Sequence, residues 1–236
     1  GSSNDSNAGW HMSSNLTDWR PVTLRESLSS IIERQGKGIL VLRWQNMGDD
    51  PAAIPGIRYR ADSGKAWAEG KITSDPITYN VPLASGGTGE GASYKLGCWV
   101  EKSIVELKDG SLLATAYGWF KGQADLVNTN NPKGDHRYTT WFIRSADDGK
   151  SWTYQGQAPY HKTRGGPEGL CEPSLVRFPD TGELLCMMRT GSGFPLYQSR
   201  SSDDGKTWDV PQPAVAAMNG DFADPGTMRG VWPSLV

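Results

Sequence analysis

The stretch SSDDGKTW, from Ser201 to Trp208, has a near copy, SADDGKSW, at Ser145 to Trp152, and a more worn one, RADSGKAW, at Arg60 to Trp67. Asp, Gly and Trp hold fixed places in all three, so the octet is an internal repeat whose mechanics decide the fold. A Ser hydroxyl and the Asp carboxylate two residues on take up backbone N–H groups of a tight turn. The Gly supplies a positive φ, and the closing Trp folds back over the hairpin. The octet therefore predicts a turn that staples two strands. In this reading Ser145, Asp147, Gly149 and Trp152, and Ser201, Asp203, Gly205 and Trp208, are structural rather than catalytic. The first copy keeps Asp62, Gly64 and Trp67 but has Arg60 and Ala66 where the hydroxyl residues stand in the others.

Upstream of each octet lies a second repeat: RESLSSIIERQGKGILVLRWQ (Arg25 to Gln45), EKSIVELKDGSLLATAYG (Glu101 to Gly118) and EPSLVRFPDTGELLCMMRTG (Glu172 to Gly191). Each is a β-rich run, a Gly-marked turn and a second run, which is the pattern of a hairpin. Adding the strands that flank the octet makes every unit a four-stranded antiparallel sheet. The third unit reads Pro173 to Phe178, Leu184 to Arg189, Leu196 to Ser201 and a strand after Trp208. Four strands per repeat with a turn motif in a fixed place is the pattern of a propeller blade. The expectation is an all-β fold, a β-propeller of four-stranded antiparallel blades at about 21–75, 95–160 and 168–215, preceded by an extension over 1–20. At 229–236 the run WPSLV repeats the EPSLV of the third unit, so the chain is expected to be truncated to about three blades plus one strand. Lys121 to Arg137 reads as a polar loop, and Tyr79 to Tyr94, with SGGTGEG at its centre, as a flexible link.

Composition agrees with many short strands and tight turns: of 236 residues, 29 are Gly, 15 Pro and 10 Trp. A formal net charge of −2 leaves no basic field for nucleic acid. No run of apolar residues is long enough for a membrane-spanning helix. Cys98, Cys171 and Cys186 cannot all pair within one chain, and the last two, although on neighbouring strands, do not fall opposite one another, so no disulfide is assigned. Neither the cysteines nor His11, His136 and His161 have metal-site spacing; no metal and no cofactor are expected.

In a propeller the first strand of each blade lines the central channel, and function collects on the loops at one mouth. Two residues before a shared Ser stand Glu101, Glu172 and Trp232, with Arg25 in the corresponding place of the first unit. Seven residues after the turn Gly stand Gln45, Tyr117 and Arg189. These two columns supply the candidate site. Glu172 and Arg189 also have a plainer reading, as an ion pair across a hairpin, and Glu101, Tyr117 and Trp119 as channel packing.

The octet S-x-D-x-G-x-[TS]-W resembles the Asp-box, or bacterial neuraminidase repeat, of the sialidase superfamily. That resemblance implies a six-bladed propeller with an Asp-box in the outer turn of several blades. The run CEPSLVRFPDTGELLCMMRTG followed by PLYQSRSSDDGKTW is similar to the sialidase blade that carries a catalytic Glu and one Arg of a triad. It implies that Glu172 deprotonates a nucleophilic Tyr, expected from blades outside this chain, and that Arg189 binds the substrate carboxylate. LRESLSSIIERQGKGILVLRWQNMGDD resembles the family's first blade, with Glu26-Ser27 in place of the usual Ile-Pro. By that likeness Arg25 is a second carboxylate-binding Arg, and Asp49 or Asp50 serves as acid and base. Glu101 and Tyr117 are further candidate sugar contacts. The implied activity is a secreted or periplasmic exo-glycosidase taking terminal acidic sugars from glycoconjugates. Two alternatives stay open: a non-catalytic Asp-box propeller that binds glycans or proteins, and another glycosidase or a polysaccharide lyase on the same fold.

Overall fold

In a computed structural model of the chain, the described residues are 10–12, 17–18, 20–22, 28–34, 38–43, 57–61, 66–70, 81–82, 88–89, 99–118, 137–149, 151–159, 166–216, 226–227, 229, 233 and 235; before residue 103, side chains are described only at 17, 18, 32 and 40. Three four-stranded antiparallel sheets dominate, each with its strands side by side in chain order. The first holds β1 (Leu28–Arg34), β2 (Gly38–Arg43), β3 (Ile57–Ala61) and β4 (Ala66–Gly70). The second holds β5 (Trp99–Glu106), β6 (Leu112–Gly118), β7 (Thr139–Ser145) and β8 (Thr153–Gln157). The third holds β9 (Cys171–Arg177), β10 (Leu184–Arg189), β11 (Tyr197–Ser201) and β12 (Gln212–Pro213). Part of the expected flexible link is paired, Val81–Pro82 with Thr88–Gly89.

Each octet closes the turn between the third and fourth strands of its unit, and the second and third copies do so in the same way. Ser145 Oγ donates to Asp147 Oδ1 at 2.8 Å and accepts the Gly149 N–H at 2.7 Å. Asp147 accepts the backbone N–H and the hydroxyl of Ser151 at 2.8 and 2.6 Å. Ser201, Asp203, Gly205 and Thr207 repeat these bonds at 2.9, 3.0, 2.9 and 2.6 Å. Trp152 and Trp208 fold back, each indole N–H donating to the carbonyl of its own octet's Gly, at 3.1 and 3.0 Å. The positive φ is shared: Asp148 and Asp204 stand at 60°, just before Gly149 and Gly205 at 84° and 79°. Asp accepts that region more readily than other side chains do. Asp62 and Gly64 of the first copy lie outside the described residues, while Trp67 sits in β4 opposite Arg60.

The second and third sheets pack face to face. β6 is buried along its whole length and β7 everywhere but Arg144, the signature of strands covered on both sides. Between the second and third sheets lies a core of Leu113, Phe142, Leu175, Leu184, Met188 and Trp208 with their neighbours. Trp208, from the third octet, lies flat on Phe142 of β7, the rings 3.9 Å apart and 10° from parallel. The octet therefore staples its own hairpin and also fastens its sheet to the one before.

The first strands stand together, β5 between β1 and β9. The shared Ser explains how they are held. Ser103 Oγ accepts the Leu175 N–H at 2.9 Å, and Ser174 Oγ accepts the Leu235 N–H at 2.9 Å. In both joints the hydroxyl of one unit takes the N–H of the residue that follows Ser in the next. The two hydroxyls are themselves 3.3 Å apart and buried.

The pairing register corrects one equivalence drawn from sequence. Ile39, Leu112 and Leu184 each face the first residue of their octet, Arg60, Ser145 and Ser201. Across the hairpin the same three pair with Glu33, Glu106 and Arg177. Counting back from these, Ser30 rather than Ser27 corresponds to Ser103 and Ser174. The first-unit counterpart of Glu101 and Glu172 is then Leu28, and Arg25 leaves the column. By the same count Trp44 replaces Gln45 beside Tyr117 and Arg189. The error arose because the first unit offers false anchors: Ser27 in place of Ser30, and Gly38 directly before Ile39 where Gly110 and Gly182 stand two residues before Leu112 and Leu184.

Candidate active site

Glu172 sits at the start of β9 where the strand bulges. Cys171 pairs with Arg189 and Ser174 with Met187, so Glu172 and Pro173 together oppose the single residue Met188. The bulge holds Glu172 at a φ of +45°, which costs a non-glycine residue of order 1–3 kcal/mol. Such strain persists only where surrounding contacts impose it, and it collects at functional sites. The side chain is turned inward at 10% exposure, and its Oε1 accepts the Arg189 Nη1 N–H at 2.7 Å.

Arg189 closes β10 at 15% exposure and meets a second acid that the sequence reading did not single out. Glu168 approaches it with both oxygens, Oε2 at 3.0 Å from Nη1 and Oε1 at 3.1 Å from Nη2. Two carboxylates thus face one guanidinium in a half-buried place. Burial works against the charge on Arg189, while Cys171, Glu172 and Glu168 beside it favour that charge, and the balance lifts its pKa above the usual value. Its Nε is buried without a hydrogen-bond partner among the described residues.

Glu168 rides on the short segment that leads into β9. Its N–H donates to Thr190 O at 3.2 Å and its carbonyl accepts the Tyr138 N–H at 2.8 Å, while Leu170 N–H returns to Tyr138 O at 2.9 Å. Gly169 makes this clamp possible: φ is +83°, and a Cβ there would lie 2.4 Å from the Tyr138 carbonyl oxygen. Arg137, expected in a polar loop, is instead buried and donates from Nη2 to Gly166 O at 2.8 Å, holding the other end of the segment. Glu168 carried no sequence signal beyond the turn-like Pro-Glu-Gly before the strand, because it has no counterpart in the other repeats.

The remaining candidates divide. Tyr117, at the end of β6, is buried and meets Tyr138 edge to face with ring centroids 5.3 Å apart, so it joins the cluster through the residue that clamps Glu168. Glu101 lies in β5 paired with Thr115 beside a bulge of its own. Arg25, Asp49, Asp50, Trp119 and Trp232 lie outside the described residues. Cys171 and Cys186 are buried and not joined in a disulfide, and Cys186 pairs with Leu175 rather than with Cys171.

The chain matches the model of the BNR repeat-like domain over residues 59–224. Among solved structures it resembles a protein of unknown function from Dyadobacter fermentans at a TM-score of 0.55 and 17% identity, over 86% of this chain and 57% of that one. It also resembles the Hadza microbial sialidase Hz136, at a TM-score of 0.50 and 16% identity, over 82% of this chain and 37% of that one. At such identities the likeness speaks for the fold, and the chain spans well under two thirds of either structure. No curated protein matches it. Two complete octets and a family match over more than half its length lead to one conclusion: the chain belongs to the BNR repeat-like domain family.

Proposed function

We propose that the chain supplies part of the active site of a sialidase-like exo-glycosidase, a β-propeller that removes terminal acidic sugars such as sialic acid from glycoconjugates outside the cytoplasm. In this reading the three sheets are successive blades and their first strands face the axis. Glu172 is the base that activates a tyrosine nucleophile, and Arg189 meets the substrate carboxylate. Arg25 is a second carboxylate ligand, Asp49 or Asp50 the acid and base, and Glu101 and Tyr117 line the sugar. The observation that carries the proposal is Glu172 itself, strained at φ +45°, buried, and hydrogen-bonded to Arg189 at 2.7 Å.

The chemistry suits the residues. A sugar with its own carboxylate beside the reacting carbon repels a carboxylate nucleophile but is gripped by arginine forks. A neutral tyrosine, deprotonated by a neighbouring Glu, attacks instead and forms the covalent glycosyl intermediate. An Asp protonates the leaving oxygen and later activates water.

Release of a fluorophore from a sialoside by the intact protein tests this. Glu172→Gln and Arg189→Ala are expected to lower kcat/KM by about a hundredfold or more, the scale of losing a positioned base or a charged substrate contact. Turnover unchanged in both variants would remove the assignment. A second reading, a propeller that binds glycans or proteins without turning them over, draws support from the two carboxylates already on Arg189, which occupy the guanidinium that a substrate carboxylate would need. Saturable glycan binding by calorimetry, with no turnover of any sialoside, would favour it.

A further inference from the structure

We infer that Glu168 is a positioning residue that keeps Arg189 and Glu172 from closing fully on one another. Its role in substrate turnover rests on the function proposed above, whereas its effect on Arg189 does not. A guanidinium offers one edge made by Nη1 and Nη2, and an unopposed carboxylate within reach takes that edge with both oxygens. Here Glu168 occupies it, at 3.0 and 3.1 Å, and Glu172 receives Nη1 alone at 2.7 Å. Nε is buried on the far side of the fork and has no hydrogen-bond partner among the described residues. Without Glu168 the paired edge passes to Glu172, so that base and anion-binding group neutralise each other.

Glu168 is fixed well enough for this task. Its N–H is held by the carbonyl of Thr190, the residue next to Arg189, so the acid and its guanidinium are anchored through adjacent backbone positions. Its carbonyl is held by Tyr138, and Gly169 leaves no room for the segment to shift toward that residue. The side chain is 14% exposed, close to the 15% of Arg189, so the contact is little screened by water.

The test uses Glu168→Ala and Glu168→Gln in the intact protein, with a crystal structure and sialoside kinetics for each. In the Ala variant both Nη atoms of Arg189 are expected within about 3 Å of Glu172 oxygens. With that change kcat/KM falls about a hundredfold, the loss falling on KM as well as kcat. In the Gln variant the amide NH2 stands where Glu168 offered an acceptor, so Nη2 is likewise expected to turn to Glu172 and kcat/KM to fall by about as much, a readout that serves if the Ala variant does not fold. An Arg189 that stays bonded to Glu172 through Nη1 alone in the variants overturns the inference at any level of activity. A parent protein inactive on all sialosides, with Arg189 turned in the variants, supports the positioning role and counts against the proposed function instead.

Discussion

Trp208→Ala probes the joint between the second and third sheets. The side chain is 7% exposed and lies on Phe142 with the rings 3.9 Å apart. Burying a Trp removes roughly 150–250 Å² from water, worth about 4–6 kcal/mol at about 25 cal/mol per Å². Alanine retains about 1 kcal/mol of that, and a compact unfolded state trims it further. The stacked contact and the indole bond to Gly205 each return about 1 kcal/mol. The expected loss is therefore about 4 kcal/mol, inside the range of about 3–5 for such a truncation. Urea unfolding followed by far-ultraviolet circular dichroism measures it, with Trp208→Phe, which keeps a ring over Phe142, losing about half as much. A double-mutant cycle with Phe142→Ala should give a coupling of about 1 kcal/mol or more. A loss under about 1 kcal/mol for Trp208→Ala, or no coupling, would refute the claim that this stack joins the sheets.

Acid should loosen the turn of the third octet. Burial raises the pKa of Asp203, but hydrogen bonds from Thr207, Ser201 and the Lys206 backbone outweigh it and leave the pKa below its ordinary value of 3.8. The unfolded chain then takes up a proton first, so this contribution is intact above pH 3.8 and drains away as the pH falls toward the folded-state value. The melting temperature of Asp203→Asn should fall less steeply than that of the parent between pH 5 and pH 3, both tracked by circular dichroism, and equal slopes would count against the turn as the source. Ser174→Ala strips the acceptor from the part-buried Leu235 N–H and should cost about 0.5–1.5 kcal/mol, the net worth of one hydrogen bond. Ser202→Ala, at an exposed neighbour in the octet, should stay within about 0.5 kcal/mol, and equal melting temperatures for the two would dismiss the bond between units.

What could be read from the residues alone was local. The hydrogen bonds of an octet span two to four positions, so Ser, Asp, Gly and Trp at fixed spacing state the turn completely, and the hairpins on either side follow from Gly-marked alternation. The stacking of Trp208 on Phe142 joins residues far apart in sequence, and no spacing announces it. The joint from Ser103 to Leu175 is equally distant, although its regularity was visible as the repeated Ser-Leu-Val. At the site, Glu172 and Arg189 surfaced because the repeats aligned them. Glu168 did not, since it belongs to a segment unique to the third unit. The false equivalence of Arg25 with Glu101 and Glu172 has a related cause: without pairing partners, any Ser or Gly near a turn can serve as a false anchor.

The serine joints have a consequence for how such a chain grows. The acceptor that reaches forward and the amide that receives from behind belong to consecutive residues, Ser174 and Leu175, in one unit. A tandem duplication of that unit therefore carries both halves of its own coupling, plug and socket together, and a fresh copy fits its parent without any compensating substitution. Connecting loops are then at liberty to lengthen, as the unequal intervals between Trp67, Trp152 and Trp208 record.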